Sequence, residues 1–214
     1  MGGRKLEKIK QNPFVKKVGF NRIVLCCVLL LMYGLFCALT GGSFAGMNRI
    51  MSALNYAYFL GFLSLGVTFV IATGQIDFSI GPVMFCCALI SGYTLTTHGI
   101  SMPVAILISI LVGFAFGLFN GYLVAYWSVP SFITSMASMN IAKGLASVYT
   151  KTQSVSWPQA ADPDNGWFRN LVTYNGFPVG LVILLVVAVV CAIILNKTRI
   201  GRYILCLGSN KEAV

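Results

Sequence analysis

Acidic residues are almost missing from this chain. Across 214 residues, 5 Asp and Glu stand against 15 Lys and Arg, a formal net charge of +10. Only 9% of residues are charged and 57% are hydrophobic, whereas a soluble domain averages roughly 25% charged residues. So few charges cannot coat a globular surface of this length, and the composition points to an all-α polytopic membrane protein. Histidine is represented once, by His98, in a short turn. A Ser–His–Asp arrangement needs a histidine inside the fold, and no His-Glu-x-x-His zinc motif occurs. An intramembrane aspartyl enzyme needs paired carboxylates, yet Asp77 is the only acidic residue between Glu7 and Asp162. No Gly-x-x-x-x-Gly-Lys-Ser/Thr loop is present, so any ATP chemistry has to come from another chain. The 7 cysteines include no Cys-x-x-Cys, and Cys26-Cys27 and Cys86-Cys87 are adjacent pairs inside apolar runs. Cys26, Cys27, Cys37, Cys86, Cys87 and Cys191 all fall in apolar runs and read as small buried hydrophobes rather than metal ligands or a disulfide framework. The expectation is a protein that is not an enzyme, with no catalytic residue, metal site or cofactor of its own.

What is abundant is apolar sequence in long runs. A helix crossing a bilayer needs about 20 mostly apolar residues. Runs of that kind are Ile23–Leu39, Ala53–Thr73, Pro82–Thr97, Met102–Trp127, Ser131–Thr150 and Phe177–Leu195, which predicts about six spans. Residues 1–22 form a basic tail, residues 23–195 the membrane domain, and residues 196–214 a basic, amphiphilic segment leaving the last helix. Ile23–Leu39 is long for the apolar part of a signal peptide and lacks a small-x-small site after it, so it reads as a retained helix. Thr40–Ser52, with Arg49, reads as a polar connection, and Lys151–Gly176 as the longest exposed loop. Basic residues gather at the two ends of the chain, which explains the net charge by orientation in a bilayer rather than by nucleic acid. With both termini cytoplasmic, the tail together with Lys197, Arg199, Arg202 and Lys211 lies inside, and only Arg49, Lys151 and Arg169 lie outside.

Three stretches interrupt the apolar pattern. Gly74-Gln75-Ile76-Asp77-Phe78-Ser79-Ile80-Gly81 breaks two long runs, and Pro82 suits the first turn of a new helix with Ser79 or Gly81 as its cap. The break therefore falls near residues 74–82. An intramembrane carboxylate must face protein, backbone donors or water, so Gly74, Asp77, Ser79 and Gly81 read as a capped helix start or as part of a solute path. Gly113, Gly117 and Gly121 stack at i, i+4 spacing and predict close helix packing, with Asn120 at the end of that face. The run Ser131–Thr150 is the most polar, and its Thr134, Ser138, Asn140 and Lys143 are candidates to line a path for a hydroxylated solute. Lys143 needs a carboxylate, carbonyls or water, or must reach the interface.

These stretches resemble a known family in the order expected. Gly74–Gly81 is similar to the Gly-Gly-Ile-Asp-Leu-Ser-Val-Gly motif of sugar-type (ribose/monosaccharide) ABC importer permeases, with Gln75 in place of the second glycine. Asn120-Gly121 matches a recurring Asn-Gly of that family. Val129-Pro130-Ser131-Phe132-Ile133-Thr134, with Ile141-Ala142-Lys143-Gly144-Leu145, resembles its Val-Pro-Pro-Phe-Ile-Val…Ile-Ala-Arg-Gly-Leu, with Ser131 in place of a proline. Thr198-Arg199-Ile200-Gly201-Arg202-Tyr203, then Gly208, Asn210, Glu212 and Ala213, resembles its cytoplasmic coupling segment. The resemblance implies that an ABC ATPase subunit docks on Thr198–Val214, with Arg202 offered to a partner carboxylate and Gly201 and Gly208 allowing tight turns around a short docking helix.

The resemblance further implies an extracytoplasmic solute-binding protein and a second permease copy or related permease, all at the cytoplasmic (plasma) membrane, with no nucleic acid. Permeases of that family continue through further spans, so the sequence is expected to be incomplete as a transport unit, or else to complete its core by dimerising through the glycine face. An ATP-independent secondary transporter is the alternative function.

Overall fold

The computed structural model describes residues 20–159, 162–174 and 177–209. The described residues are helical, apart from turns and an isolated bridge between Tyr174 and Phe177. The chain divides into two compact units, Met1–Ala53 and Leu54–Val214.

In the first unit, helix α1 (Phe20–Leu39) is followed by one 3-10 turn, Ser43–Ala45. Gly41 and Gly42 take positive φ of 59° and 85° and make the reversal that a Cβ would strain. Thr40 Oγ1 donates to Phe36 O at 2.7 Å and accepts from Phe44 N at 3.2 Å. That bonding returns the Phe44 ring to Tyr33 and Phe36, with centroids 5.6 and 5.5 Å away. The polar connection expected over Thr40–Ser52 is shorter than its composition suggests, because helix α2 already starts at Met47 (Met47–Ala72). Two glycines complete the turn, and nothing after Gly46 breaks a helix.

In the second unit α2 ends at a break, after which come α3 (Ile80–His98), α4 (Met102–Tyr126) and α5 (Ser131–Tyr149). A short helix α6 (Trp167–Asn170) lies in the following loop, and α7 (Val179–Lys197) leads to α8 (Arg199–Ser209). α3, α4 and α5 share the core of this unit, built from Cys86, Ile90, Phe116, Ala142 and Ala146. On α5 the buried positions Thr134, Ser138, Ala142, Ala146 and Thr150 recur every fourth residue. This is one helical face of small side chains, the kind that lets membrane helices approach closely. At the far end Thr94 Oγ1 lies 3.0 Å from Tyr149 Oη, and the loop after α5 folds back on α3. A Cβ on Gly92 would stand 2.7 Å from Val155 and 2.9 Å from Trp157, so glycine makes room for that return. Trp157 also stacks on Phe168 at 5.9 Å, beside the cluster of Leu95, Met102 and Ala105.

Among the described residues, four helices, α2, α3, α4 and α7, are long and apolar enough to cross a membrane. About six were expected from composition. Ile23–Leu39 is a shorter apolar stretch, and α5 has a hydroxyl-bearing face. The polytopic all-α class holds, and the helix break lies where the glycines, Asp77 and Pro82 indicate.

Two expectations from composition are corrected. The glycine face of α4 is not a close-packing surface among the described residues. A Cβ on Gly117 or Gly121 would meet nothing within 4 Å, and one on Gly113 would make only an ordinary contact with Cys87 Sγ at 3.5 Å. Nor are all the cysteines of the apolar runs buried: Cys86 and Cys87 are, Cys37 and Cys191 are half-buried, and Cys26 and Cys27 are exposed. Side chains on a lipid-facing helix are exposed without being polar, so apolar sequence alone does not distinguish a core cysteine from a peripheral one.

Candidate functional site

The break between α2 and α3 satisfies its own backbone. At the end of α2, Gly74 N donates to Ile71 O at 2.8 Å and Gln75 N to Val70 O at 3.3 Å, with Gly74 at φ +73°. This is a Schellman cap, which needs a left-handed residue at that position. Gln75 stands where the resembled motif has glycine, and its φ is not positive, so the turn needs a single glycine. The chain then runs without regular structure, through a bend at Phe78, to Ser79. Ile76 N is taken up by Ser131 Oγ at 3.3 Å, from the first residue of α5. A proline at 131 would offer no side-chain acceptor. Ser79 caps α3 through its position, but its own side chain makes no cap bond. Asp77 does the local work instead. Its Oδ1 accepts from Ser79 N and from Ser79 Oγ, both at 2.6 Å. Pro82 then falls in the first turn of α3, where no helical donor is lost.

From Ser79 the hydrogen bonds continue through the core. Asn120 Nδ2 on α4 donates to Ser79 Oγ at 3.1 Å. Ser138 Oγ on α5 donates to Asn120 Oδ1 in a short bond. The donation runs one way: Ser138 gives to Asn120, Asn120 to Ser79, and Ser79 to Asp77. The sequence of donors ends on the carboxyl group of Asp77, which accepts from Ser79. Three helices are thereby cross-linked at one level by side chains brought from positions 77, 79, 120 and 138, and Ser79 and Ser138 are buried. Inside a bilayer such interhelical polar bonds are worth about 0.6–2 kcal/mol each. They specify which faces meet.

Two cavities open on either side of this chain of bonds. One, of 510 Å³, is bounded by Asp77, Ser79, Ser109, Phe116, Asn120 and Trp157. The other, of 720 Å³, is bounded by Gln75, Asp77, Asn120, Ser131, Ser135 and Leu207. Asp77, Gly117 and Asn120 border both. Both volumes lie in the range of small-molecule sites, about 300–1,000 Å³. Gly113 and Gly117 line the first and Gly117 and Gly121 the second, so the glycine face of α4 serves as cavity wall.

The residues expected to matter are sorted by this geometry. Asp77, Ser79, Asn120 and Ser138 come together, flanked by Gly74 and Gly81. Thr134 is buried on the same face of α5, with its hydroxyl on Pro130 O at 3.3 Å. Asn140 and Lys143 are not brought to the site. Both are exposed, and Asn140 Nδ2 bonds Met136 O of its own helix at 2.9 Å. The sequence marks Ser131 as one of the hydroxyls able to bond a neighbouring helix, Gln75 as a departure from the resembled motif and Trp157 as a loop aromatic, but points none of them at this site, and Ser109 carries no signal of its own. Positions 75 and 131 are among those where this chain departs from the resembled motifs, and that departure is the signal the sequence carries.

Of the coupling-segment residues, Thr198 turns the corner between α7 and α8. Its Oγ1 donates to Ile194 O at 2.6 Å and accepts from Gly201 N at 3.2 Å, a capping bond for α8. Arg199, Arg202 and Tyr203 are exposed. Gly201 and Gly208 do not make turns, a correction to the sequence expectation: both lie inside α8. They are points of close approach. A Cβ on Gly201 would stand 2.1 Å from Leu195 O, and one on Gly208 2.2 Å from Ala72 O. Asn210, Glu212 and Ala213, like the basic tail, lie outside the described residues. Among the described residues no group of three or more His, Cys, Asp or Glu gathers in a way that would hold a metal.

Residues 49–214 match the family model described as the branched-chain amino acid transport system / permease component. The fructose import permease protein FruF of Bifidobacterium longum is 29% identical over 220 residues, covering 96% of this chain and 60% of that protein. FruG of the same organism, also a fructose import permease protein, is 31% identical over 80% of this chain and 52% of its own length. The ribose import permease protein RbsC of Haemophilus influenzae is 30% identical over 79% of this chain and 52% of its own length. No solved structure matches. The chain spans about half the length of the curated relatives it matches. The chain belongs to this family of transport permease components, and the resemblance to sugar importer permeases is thereby shown.

Proposed function

We propose that this chain is a membrane-spanning permease subunit of an ABC importer that moves a monosaccharide or related small polar solute across the cytoplasmic membrane. The observation that carries the reading is the bonded series Ser138–Asn120–Ser79–Asp77 between two cavities, at a helix break inside an otherwise apolar bundle. Irregular backbone at that depth persists where it is enclosed by protein or lines a water-filled cavity. Hydroxyls, an amide and a carboxylate offer a sugar both donors and acceptors. The names of the relatives, fructose and ribose import permeases, support the solute class.

In this reading ATP is hydrolysed by a separate ABC ATPase, and an extracytoplasmic binding protein delivers the solute. A second permease copy or related permease shares the path. Residues 1–22 form a cytoplasmic tail, residues 23–195 the membrane domain and residues 196–214 the coupling segment, so both termini face the cytoplasm. Exposed Arg199, Arg202 and Tyr203 on α8 are then the groups offered to the ATPase.

Two measurements test this. Proteoliposomes holding this chain, its ATPase and its binding protein should take up labelled fructose or ribose only with ATP inside. Uptake driven equally well by an ion gradient without ATP would replace the importer by a secondary transporter. In intact cells, an Asp164→Cys variant should react with an impermeant maleimide while Cys206 does not, and the opposite pattern would overturn the orientation.

A further inference from the structure

We propose that α8 is a gate of the larger cavity as well as a docking segment, held shut by the contact of Gly208 with the end of α2. The inference rests on reading the break as the transport site. Three observations lead to it. First, Ile204 and Leu207 of α8 complete the wall of the 720 Å³ cavity that Asp77, Asn120 and Ser135 line from the other helices. Second, the next residue after Leu207 is a glycine whose Cα faces backbone. A Cβ there would lie 2.2 Å from Ala72 O, 3.1 Å from Ala72 C and 3.3 Å from Gly74 N. Reciprocally, a Cβ on Gly74 would lie 3.5 Å from Gly208 Cα and O. Third, Gly74 N donates within the Schellman cap and Ala72 is the last residue of α2, just ahead of the irregular stretch carrying Asp77.

Backbone meets backbone at this point, and no flexible side chain can yield. Ala72 O is among the last carbonyls of α2, which have no helical donor to receive. The Cα–H of Gly208 directed at it is a weak donor of the kind found where helices approach closely. The opposite end of α8 is equally constrained, because Gly201 sits against Leu195 O and its N–H is bound by Thr198. α8 is therefore pinned at Thr198–Gly201 and at Gly208, with Ile204 and Leu207 held over the cavity between the two pins. The surface that would meet an ATPase carries Arg202 and Tyr203, both exposed. A pull on that surface that separates Gly208 from Ala72 withdraws Leu207 and Ile204 together and opens the cavity beside Asp77. Gly208 is thus a positioning residue for the gate.

The test reads cavity access directly and needs neither ATPase nor solute. The exposed cysteines Cys26, Cys27 and Cys206 are replaced by serine, and a Ser135→Cys variant is labelled with a water-soluble maleimide in membrane vesicles of known orientation. With Gly208 present, labelling from the α8 side is slow. Gly208→Val should raise that rate roughly tenfold, a displacement of about 1.4 kcal/mol, and leave labelling from the opposite side unchanged. Leu207→Ala should raise it in the same direction without any clash, and this variant carries the test if Gly208→Val does not insert or fold. Unchanged labelling in correctly inserted Leu207→Ala protein, with or without Gly208→Val, would overturn the gate. Failure of ATP-driven uptake with gated labelling intact would strike the importer reading alone.

Discussion

α5 and α7 are each 19 residues long, and they are built on opposite plans. α7 is almost purely aliphatic, yet its side chains stay largely exposed: Leu185 is 58% and Val186 59% accessible, and Gly180 alone is buried. α5 carries hydroxyls along one face, and those hydroxyls are the buried groups, with Ser138 at 0%. In water the apolar helix would be the core. In a bilayer lipid tails serve an aliphatic side chain as well as another helix does, so apolar surface supplies no reason to pack. Polar groups and close approach of small side chains supply it. α5 packs on α3 through Ala142 and Ala146 against Cys86, and reaches Asn120 through Ser138. α7 is held to α2 by a small residue, Gly180, under the Tyr58 ring, and by Leu184 over Gly61.

The largest expected effect therefore comes from the polar centre. Asn120→Leu removes both the donor to Ser79 and the acceptor from Ser138 and leaves those hydroxyls facing an apolar side chain. Leaving such groups unpaired costs about 1–3 kcal/mol each. Uptake should be abolished and thermal unfolding in detergent lowered. A substitution of like size on α7, Val186→Leu, should leave both unchanged. An Asn120→Leu protein as stable and active as the parent would break the contrast between the helices.

Overpacking comes next. Ala142→Leu drives a branched side chain into the contact with Cys86 and should destabilise the α3–α5 pair by about 1–3 kcal/mol. The measurement is the detergent or urea midpoint of the purified protein. Val186→Ala, which shortens a side chain already exposed, should move that midpoint by less than about 0.5 kcal/mol.

Gly117→Leu separates space from stability. Among the described residues a Cβ there meets nothing within 4 Å, so the fold should tolerate it. The side chain would project into both cavities, and solute uptake should fall while the unfolding midpoint holds. A lowered midpoint with normal uptake would return the glycine face to close packing.

Asp77→Asn is the mildest change at the site. The amide keeps an oxygen that can accept from Ser79 N and Ser79 Oγ, so assembly should be normal and the unfolding midpoint close to the parent. Uptake should decline through loss of the charge alone, and unaltered uptake would confine Asp77 to helix capping. At the lower end of the scale, Lys143→Ala on the exposed face of α5 should change neither reading measurably.

Much of this was legible in residue order. Scarce acid, long apolar runs and basic ends establish the membrane class, because no soluble surface can be covered with so few charges. Gly74, Asp77 and Pro82 mark a helix break for local steric and hydrogen-bonding reasons, which act whatever surrounds them. Single-residue departures at Gln75 and Ser131 were visible too, but their meaning was not. Whose donor Ser131 Oγ accepts depends on a contact 55 residues away in the chain.

The sequence by itself determined what had to be local: an apolar helical chain, its break, and the small and polar residues available to join helices. Only the tertiary structure decided which of those residues meet. Asn120 and Asn140 are the same residue type on neighbouring helices, yet one bridges Ser79 and Ser138 and the other bonds its own turn. Gly117 and Gly208 are both helical glycines, yet one faces open space and the other backbone. Composition gives a residue its capacity to bond or to make room. The angular position of its helix against its neighbours determines whether anything is there to receive it.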